Sequence, residues 1–344
     1  MRYIGSKTLL LNKIEIILDE NIEKKEGTFC DAFSGTSTVG KYFKKRYKII
    51  SNDMLYFSYV LQYGHIKTNE KPSFGKLNLG CPLEYFNSLD VELDMLKEKP
   101  FIYENYSPTK KSERMYLSNK NALKVDFIRQ SINSWHEDDF ITEDEQYYLL
   151  AVLLEAVPYV SNISGVYGAY LKHWDKRALN DLTLKHIDIH NNEKENQVYN
   201  ENSNELIESI SGDILYIDPP YNARQYMPNY HLLETIAKYD APEIYGKTGL
   251  RPYDDEKSEY CQKANVLNAF EDLIRKAKFE NIVVSYSTDG IMSEDEMEEI
   301  LLKYGIESSL KVYKFNYRKY KSKNEHKQKE LKELIFFIKK DISE

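Results

Sequence analysis

The stretch 28–53, TFCDAFSGTSTVGKYFKKRYKIISND, leaves few folds open. Thr28 to Phe33 is a short apolar run interrupted by an acid, Asp31, and reads as a strand. SGTSTVG is a turn of small residues. Val39 to Arg46 has helical character. Lys48 to Asp53 is a second strand, again ending on an acid. A strand, turn, helix and strand in this order open a doubly wound parallel α/β sheet. Such a sheet binds ligands at the carboxyl ends of its strands, which is where Asp31 and Asp53 fall.

The turn narrows the ligand. Gly35 lets a ligand approach the backbone closely, flanked by Phe33 and Ser34. The loop is neither GxGxxG nor a phosphate loop ending in GK[ST], so a pyrophosphate is not the expected ligand. Asp53 follows Gly35 by 53 − 35 = 18 residues, near the ~20 expected of an acid that hydrogen-bonds a ribose. A nucleoside with a positively charged tail suits a site rimmed by two acids, and S-adenosylmethionine (SAM) is such a molecule. A purely structural strand–turn–helix junction would carry the same residues.

A second stretch, ILYIDPPYNARQY (214–226), ends a core strand in a stiff charged tip. Each proline fixes its own φ, and Pro219 biases Asp218 toward an extended backbone. Asp218 and the Pro219 carbonyl then offer two acceptors, Pro220 adds stiffness and Tyr221 an aromatic face. An exocyclic amino group on a ring needs those three things: acceptors for its N–H bonds and a surface for stacking. Methyl transfer to that nitrogen would need neither metal nor covalent intermediate. The plain alternative is a Pro-Pro turn that merely closes a strand.

Apolar spacing predicts a helix over Thr8–Ile22 and another over Thr142–Val157. Strand-like runs return at 214–217, 281–287, near 310–317 and at 334–338, whereas 73–200 lacks regular β/α alternation. The organisation expected is a split catalytic domain, 1–72 plus 201–344, with a largely helical insertion at 73–200. Asn191–Asn204 reads as a polar surface loop. Cys30, Cys81 and Cys261 have no CxxC spacing, so neither a disulfide framework nor a metal site is expected, and Cys30 reads as a buried hydrophobe. No apolar run approaches a membrane span and the N-terminus lacks a secretory core, so the expected location is cytoplasmic. A net charge of −8 does not advertise a nucleic-acid binder, yet 311–329, KVYKFNYRKYKSKNEHKQK, concentrates cations, Arg318 and Lys319 among them, between tyrosines. That run is either a phosphate- and base-contacting segment or a solvated face.

With RYIGSK at the start, D-x-F-x-G next and DPPY far downstream, the chain resembles the SAM-dependent DNA adenine-N6 methyltransferases. The motif order is that of their alpha group, the Dam-like D12 class. RYIGSKTLLLNKI and DPPYNARQYMPNYHLLETIA are most similar to the FokI-type modification enzymes. The resemblance implies a Rossmann-like methyltransferase sheet with an inserted target-recognition region. It implies cofactor contacts from Tyr3, Lys7, Asp31, Phe33, Ser34, Gly35, Asp53 and Asp218. The family's acid that contacts the cofactor adenine has its nearest counterpart at Asn202, a departure from the pattern. Catalysis is implied for Asp218, Pro219, Pro220 and Tyr221. SNISGVYGAYLK is similar in spacing to a family segment that lies against DNA. That resemblance implies DNA contacts from Asn162, Tyr167 and Lys172, with a glycine-rich connector the alternative for 161–172; Arg318 and Lys319 are added on charge, and Arg224 either holds DNA or braces its loop.

The implied reaction is methylation of N6 on an adenine flipped out of double-stranded DNA, as the modification half of a restriction-modification system. A cognate restriction endonuclease acting separately is an implied partner. The competing readings are an RNA amino-group methyltransferase, which the long insertion and RYIGSK disfavour, and an inactive SAM- or nucleic-acid-binding module, which the intact DPPY disfavours.

Overall fold

The computed structural model describes Gly5, residues 7–316 and residues 331–340. Tyr3, Arg318 and Lys319, and most of the basic run 311–329, lie outside the described residues.

Among the described residues, seven strands build one sheet: β1 (Thr28–Asp31), β2 (Lys48–Asn52), β3 (Gln197–Tyr199), β4 (Ser211–Ile217), β5 (Lys278–Ser287), β6 (Lys311–Asn316) and β7 (Lys332–Lys339). Their spatial order is β3-β2-β1-β4-β5-β7-β6. The first five in that order run parallel, and β7 sits antiparallel between β5 and β6. The doubly wound α/β expectation holds.

The strands alternate between two apolar faces, as the period of two requires. Phe29, Ile49, Ile214, Tyr216, Val283, Ile335 and Phe337 face a layer that includes the helices Leu11–Asn21 and Thr38–Phe43. Cys30, Ile50, Leu215, Ile217, Val284 and Phe336 face the helices Val266–Lys276 and Glu294–Tyr304. Cys30 is fully buried among them, as its sequence context predicts. Both faces of the central strands are covered, which is why 214–217 reads as unbroken apolar residues.

The winding order of the strands reverses between β1 and β4. From β1 the chain winds out to β2 and β3; from β4 it winds the other way to β5. The crevice above such a reversal is where open α/β sheets bind ligands. Register sets Asp31 beside Tyr216, so Asp218 emerges next to Asp31 at the same edge.

A third apolar cluster joins the helices of the central segment to the scaffold. It packs Ile102, Val125, Ile128, Leu149 and Leu153 against Phe57 and Leu61 of the helix Tyr56–Gln62 and Leu232 and Ile236 of the helix Met227–Lys238. The second of those helices follows DPPY directly.

Two sequence expectations need correcting. Asn191–Asn204 is not wholly a loop: Gln197–Tyr199 forms β3, the sheet's edge. An edge strand of three residues pairs on one side only and shows no alternation to read. The long helix Asn119–Glu137 was absent from the periodicity because polar residues occupy its inner face. Those residues bind loop backbone: Asp126 accepts from the amides of Ile102 (2.9 Å) and Tyr103 (2.8 Å), and Gln130 accepts from Lys97 and Glu98 (3.1 Å each).

Candidate active site

Asp31, at the tip of β1, is buried. Gly35 turns the loop in left-handed backbone (φ 52°), which glycine adopts without strain. The loop is stapled to the end of β2. Ser34 N donates to Asn52 O (2.9 Å), and Gly35 N donates to Asp53 Oδ2 (2.8 Å). The other Asp53 oxygen accepts from Leu55 N (2.9 Å), at the start of the helix Tyr56–Gln62. Asp53 thus orders the loop as well as facing the cleft.

The cleft, about 1100 Å³ including its open mouth, brings the two sequence stretches together. Lys7, Asp31, Phe33, Ser34, Gly35, Asp53, Asn202 and Asp218–Tyr221 all line it. Every expected cofactor and catalytic residue among the described residues is in this one crevice; Tyr3 lies outside them. Asn202 also caps the helix Ser203–Leu206, its side chain accepting from Asn204 N (2.9 Å).

The electrostatics are those of a site that wants a cation. Burial pushes the Asp31 carboxyl up to about 8, and the nearby Asp218 and Asp53 charges add to it. The amides of Gly40 and Phe33 counter this in part, but neither attains hydrogen-bonding geometry, so both Asp31 oxygens are buried without a partner. Burial likewise raises Asp53 to about 6 against the pull of the Leu55 and Gly35 amides. Asp218 is raised to about 7, again chiefly by burial, with Lys7 lowering it and Glu333 raising it. One buried acid whose oxygens lack partners, with two half-buried acids beside it, fits the cationic end of a nucleoside cofactor. The orphaned Asp31 oxygens are the most specific part of that fit.

The DPPY loop is held from both ends. Lys7 Nζ stands 3.1 Å from Asp218 Oδ1 and also hydrogen-bonds Glu333 on β7. Ile291 N donates to Tyr221 O (2.9 Å), and the Tyr221 ring meets Tyr286 edge-on at 6.5 Å. Downstream, Gln225 closes a two-way clasp with Ser258: Nε2 donates to Ser258 O (3.0 Å), and Ser258 N donates to Oε1 (2.8 Å). The clasp draws the segment carrying Tyr260 over the cleft, where Tyr260 sets its ring edge-on to Phe33 at 5.0 Å.

Sequence reasoning missed Glu333, Gln225 and Tyr260. Glu333 did carry a signal, an acid at the head of the apolar run LIFFI, but it reads equally as a solvated strand end. Gln225 and Tyr260 carried none.

The expected DNA contacts divide. Asn162 and Tyr167 are corrected: both are buried, and their polar groups are spent internally. Asn162 Nδ2 donates to Leu171 O (3.0 Å) and its Oδ1 accepts from Asp175 N (2.9 Å). Tyr167 OH pairs with Ser161 Oγ (3.0 Å), and its carbonyl accepts from Tyr116 OH (2.7 Å). They brace 161–172, and Tyr167 N donates to Asn229 O (2.8 Å) of the helix after DPPY. Lys172 and Arg224 are exposed.

Comparison with known proteins agrees with this geometry. Residues 3–300 match the model of the D12 class N6 adenine-specific DNA methyltransferases. The chain is 53% identical over 346 residues to the type II methyltransferase M.FokI of Planomicrobium okeanokoites, covering 100% of this chain and 53% of that protein. It is 45% identical to the modification methylase StsI of Streptococcus sanguinis, covering 99% of this chain and 52% of that one. It is 41% identical to the type II methyltransferase M.NlaIII of Neisseria lactamica, across 94% of this chain and 93% of the relative. The chain therefore spans about half the length of the first two relatives and nearly all of the third.

Proposed function

The chain belongs to the D12 class N6 adenine-specific DNA methyltransferases, and from that premise we propose that it methylates N6 of an adenine flipped out of double-stranded DNA, as the modification enzyme of a restriction-modification system. The observation that supports this most is the convergence of the acid-rimmed Gly35 loop and the Asp218–Tyr221 tip in one crevice at the reversal of strand order.

SAM, when bound, supplies an electrophilic methyl group. Asp31 and Asp53 hold the cofactor side of the cleft, with Phe33, Ser34, Gly35 and Asn202 shaping its wall. Extruding the adenine costs a few kcal/mol in unstacking and unpairing, and stacking on Tyr221 offsets part of that. Asp218 and the Pro219 carbonyl accept from the two N6–H bonds, drawing electron density onto a nitrogen whose lone pair is otherwise delocalised in the ring. Accepting a methyl group would leave N6 positive and ready to lose a proton. One proton leaves through Asp218 to solvent.

Residues 73–200 form the target-recognition region in this reading, and their shared core with the helix after DPPY ties site recognition to the catalytic tip. The exposed Lys172 and Arg224, with Arg318 and Lys319, supply phosphate contacts. The test is transfer of labelled methyl from SAM to unmodified duplex DNA. Label appearing in RNA and not in DNA would replace this reading with that of an RNA amino-group methyltransferase.

A further inference from the structure

Glu333 is a buried acid, 4% exposed, on β7, which runs antiparallel to its neighbour β5. Burying a carboxylate is costly unless it is paired, and the partners show its use. Glu333 Oε1 accepts from Lys7 Nζ and from Ser285 Oγ (3.1 Å). The same Lys7 ammonium stands 3.1 Å from Asp218 Oδ1. Since β5 separates β4 from β7, the two acids sit on backbones roughly 10 Å apart. One lysine bridges that gap and is itself buried.

The charge count explains why a second acid is needed. A lone Lys7–Asp218 pair would be neutral and would offer little field to a nitrogen that becomes positive. With Glu333, two negative groups share one positive group, and the cluster keeps a net charge of −1. Lys7 is then held from the far side. Burial alone would favour losing its proton, but the two facing carboxylates outweigh this and hold it charged.

We propose that Glu333 is a positioning residue for the transfer step: through the shared ammonium of Lys7 it fixes the place of Asp218 and leaves the three-group cluster with a net negative charge. The proposal rests on the DNA-methylation reading. The other titratable groups facing Asp218 are Asp31 on β1, Tyr216 on β4, and Tyr226. Glu333 and Asp218 are the two acids that form ion pairs with Lys7 among the described residues.

The experiment compares the wild-type chain with Glu333→Gln, Lys7→Met and the double variant. Rates are measured on duplex DNA, and Asp218 ionisation in the free protein by carboxyl-¹³C aspartate NMR, its signal assigned by loss in Asp218→Asn. Glu333→Gln is expected to lower kcat at pH 8 by tenfold or more. Affinity for S-adenosylhomocysteine, by calorimetry, should change less than threefold. The Asp218 midpoint should move to lower pH, because a like charge has gone. In the Lys7→Met background the same change should have no further effect on kcat. A midpoint that stays or rises, or an undiminished effect without Lys7, overturns the proposal whatever the rate. Should Glu333→Gln fail to fold, Glu333→Asp keeps the charge with a shorter reach; a lowered kcat supports the proposal and a wild-type kcat overturns it. If wild-type protein does not methylate DNA at all, the functional reading fails, and the NMR midpoint still decides the role of Glu333.

Discussion

Lys7 Nζ lies 3.1 Å from Asp218 Oδ1, so the start of the described chain reaches across the sheet to the proline-stiffened tip that follows β4. The ammonium lowers an Asp218 carboxyl that burial has pushed up to about 7. As the ionised form is the acceptor, kcat should rise as pH increases through about 7 and fall roughly tenfold per unit well below it. Lys7→Met removes the lowering influence, so the acid limb should move to higher pH and its plateau should drop. A pH–kcat profile checks this; an acid limb unmoved by Lys7→Met would contradict it.

Asp53 accepts from the Gly35 and Leu55 amides at once. Asparagine keeps one acceptor and turns an amide donor toward the other N–H, a mismatch worth about 1–3 kcal/mol. Asp53→Asn should therefore weaken S-adenosylhomocysteine binding about tenfold or more while the rest of the fold persists. Calorimetric titration against a thermal melt separates the two effects. Unchanged affinity would remove Asp53 from the loop's support.

Asp31 has the opposite sign from an ion-paired acid. Its folded pKa, about 8, lies above the ordinary value of 3.8. The unfolded chain thus binds fewer protons between those limits, and stability falls as pH rises through that window. Asp31→Asn should raise Tm at pH 8, on the order of 2 °C per kcal/mol gained, with the gain shrinking toward pH 4. Cofactor binding should weaken in the same variant. A lower Tm at pH 8 would show that the carboxylate is not under strain.

If Arg318 and Lys319 contact phosphates, as proposed, replacing both by alanine should reduce the salt dependence of DNA binding by nearly two units of slope, about 0.9 for each phosphate lost. Asn162→Ala should leave that slope alone and lower Tm, because Asn162 joins Leu171 to Asp175. An unchanged slope in the first variant would make 311–329 a solvated face.

The catalytic half of the fold was legible because its signals are local. An apolar run ending in Asp31, another in Asp53 and a third before Asp218 each announce a strand and its functional edge within a few residues. What stayed hidden depends on contacts distant in sequence. Glu333 acquires meaning only from a lysine 326 positions away. Gln225 matters through Ser258, 33 positions on. The helix Asn119–Glu137 buries Asp126 and Gln130 to hold loop backbone, which erased the apolar stripe that would have revealed it. Asn162 and Tyr167 misled for a related reason. A glycine-spaced polar segment looks the same whether its polar groups meet a ligand or one another.

The central claim is that Asp218 acts on an adenine amino group in DNA. The direct measurement is to express the chain in a methylation-deficient host and map modified bases by modification-sensitive sequencing, beside Asp218→Ala. N6-methyladenine is expected in one recurrent sequence context with the wild-type chain and none with Asp218→Ala. Host DNA free of N6-methyladenine with the wild-type chain, or equal modification by both chains, would contradict it.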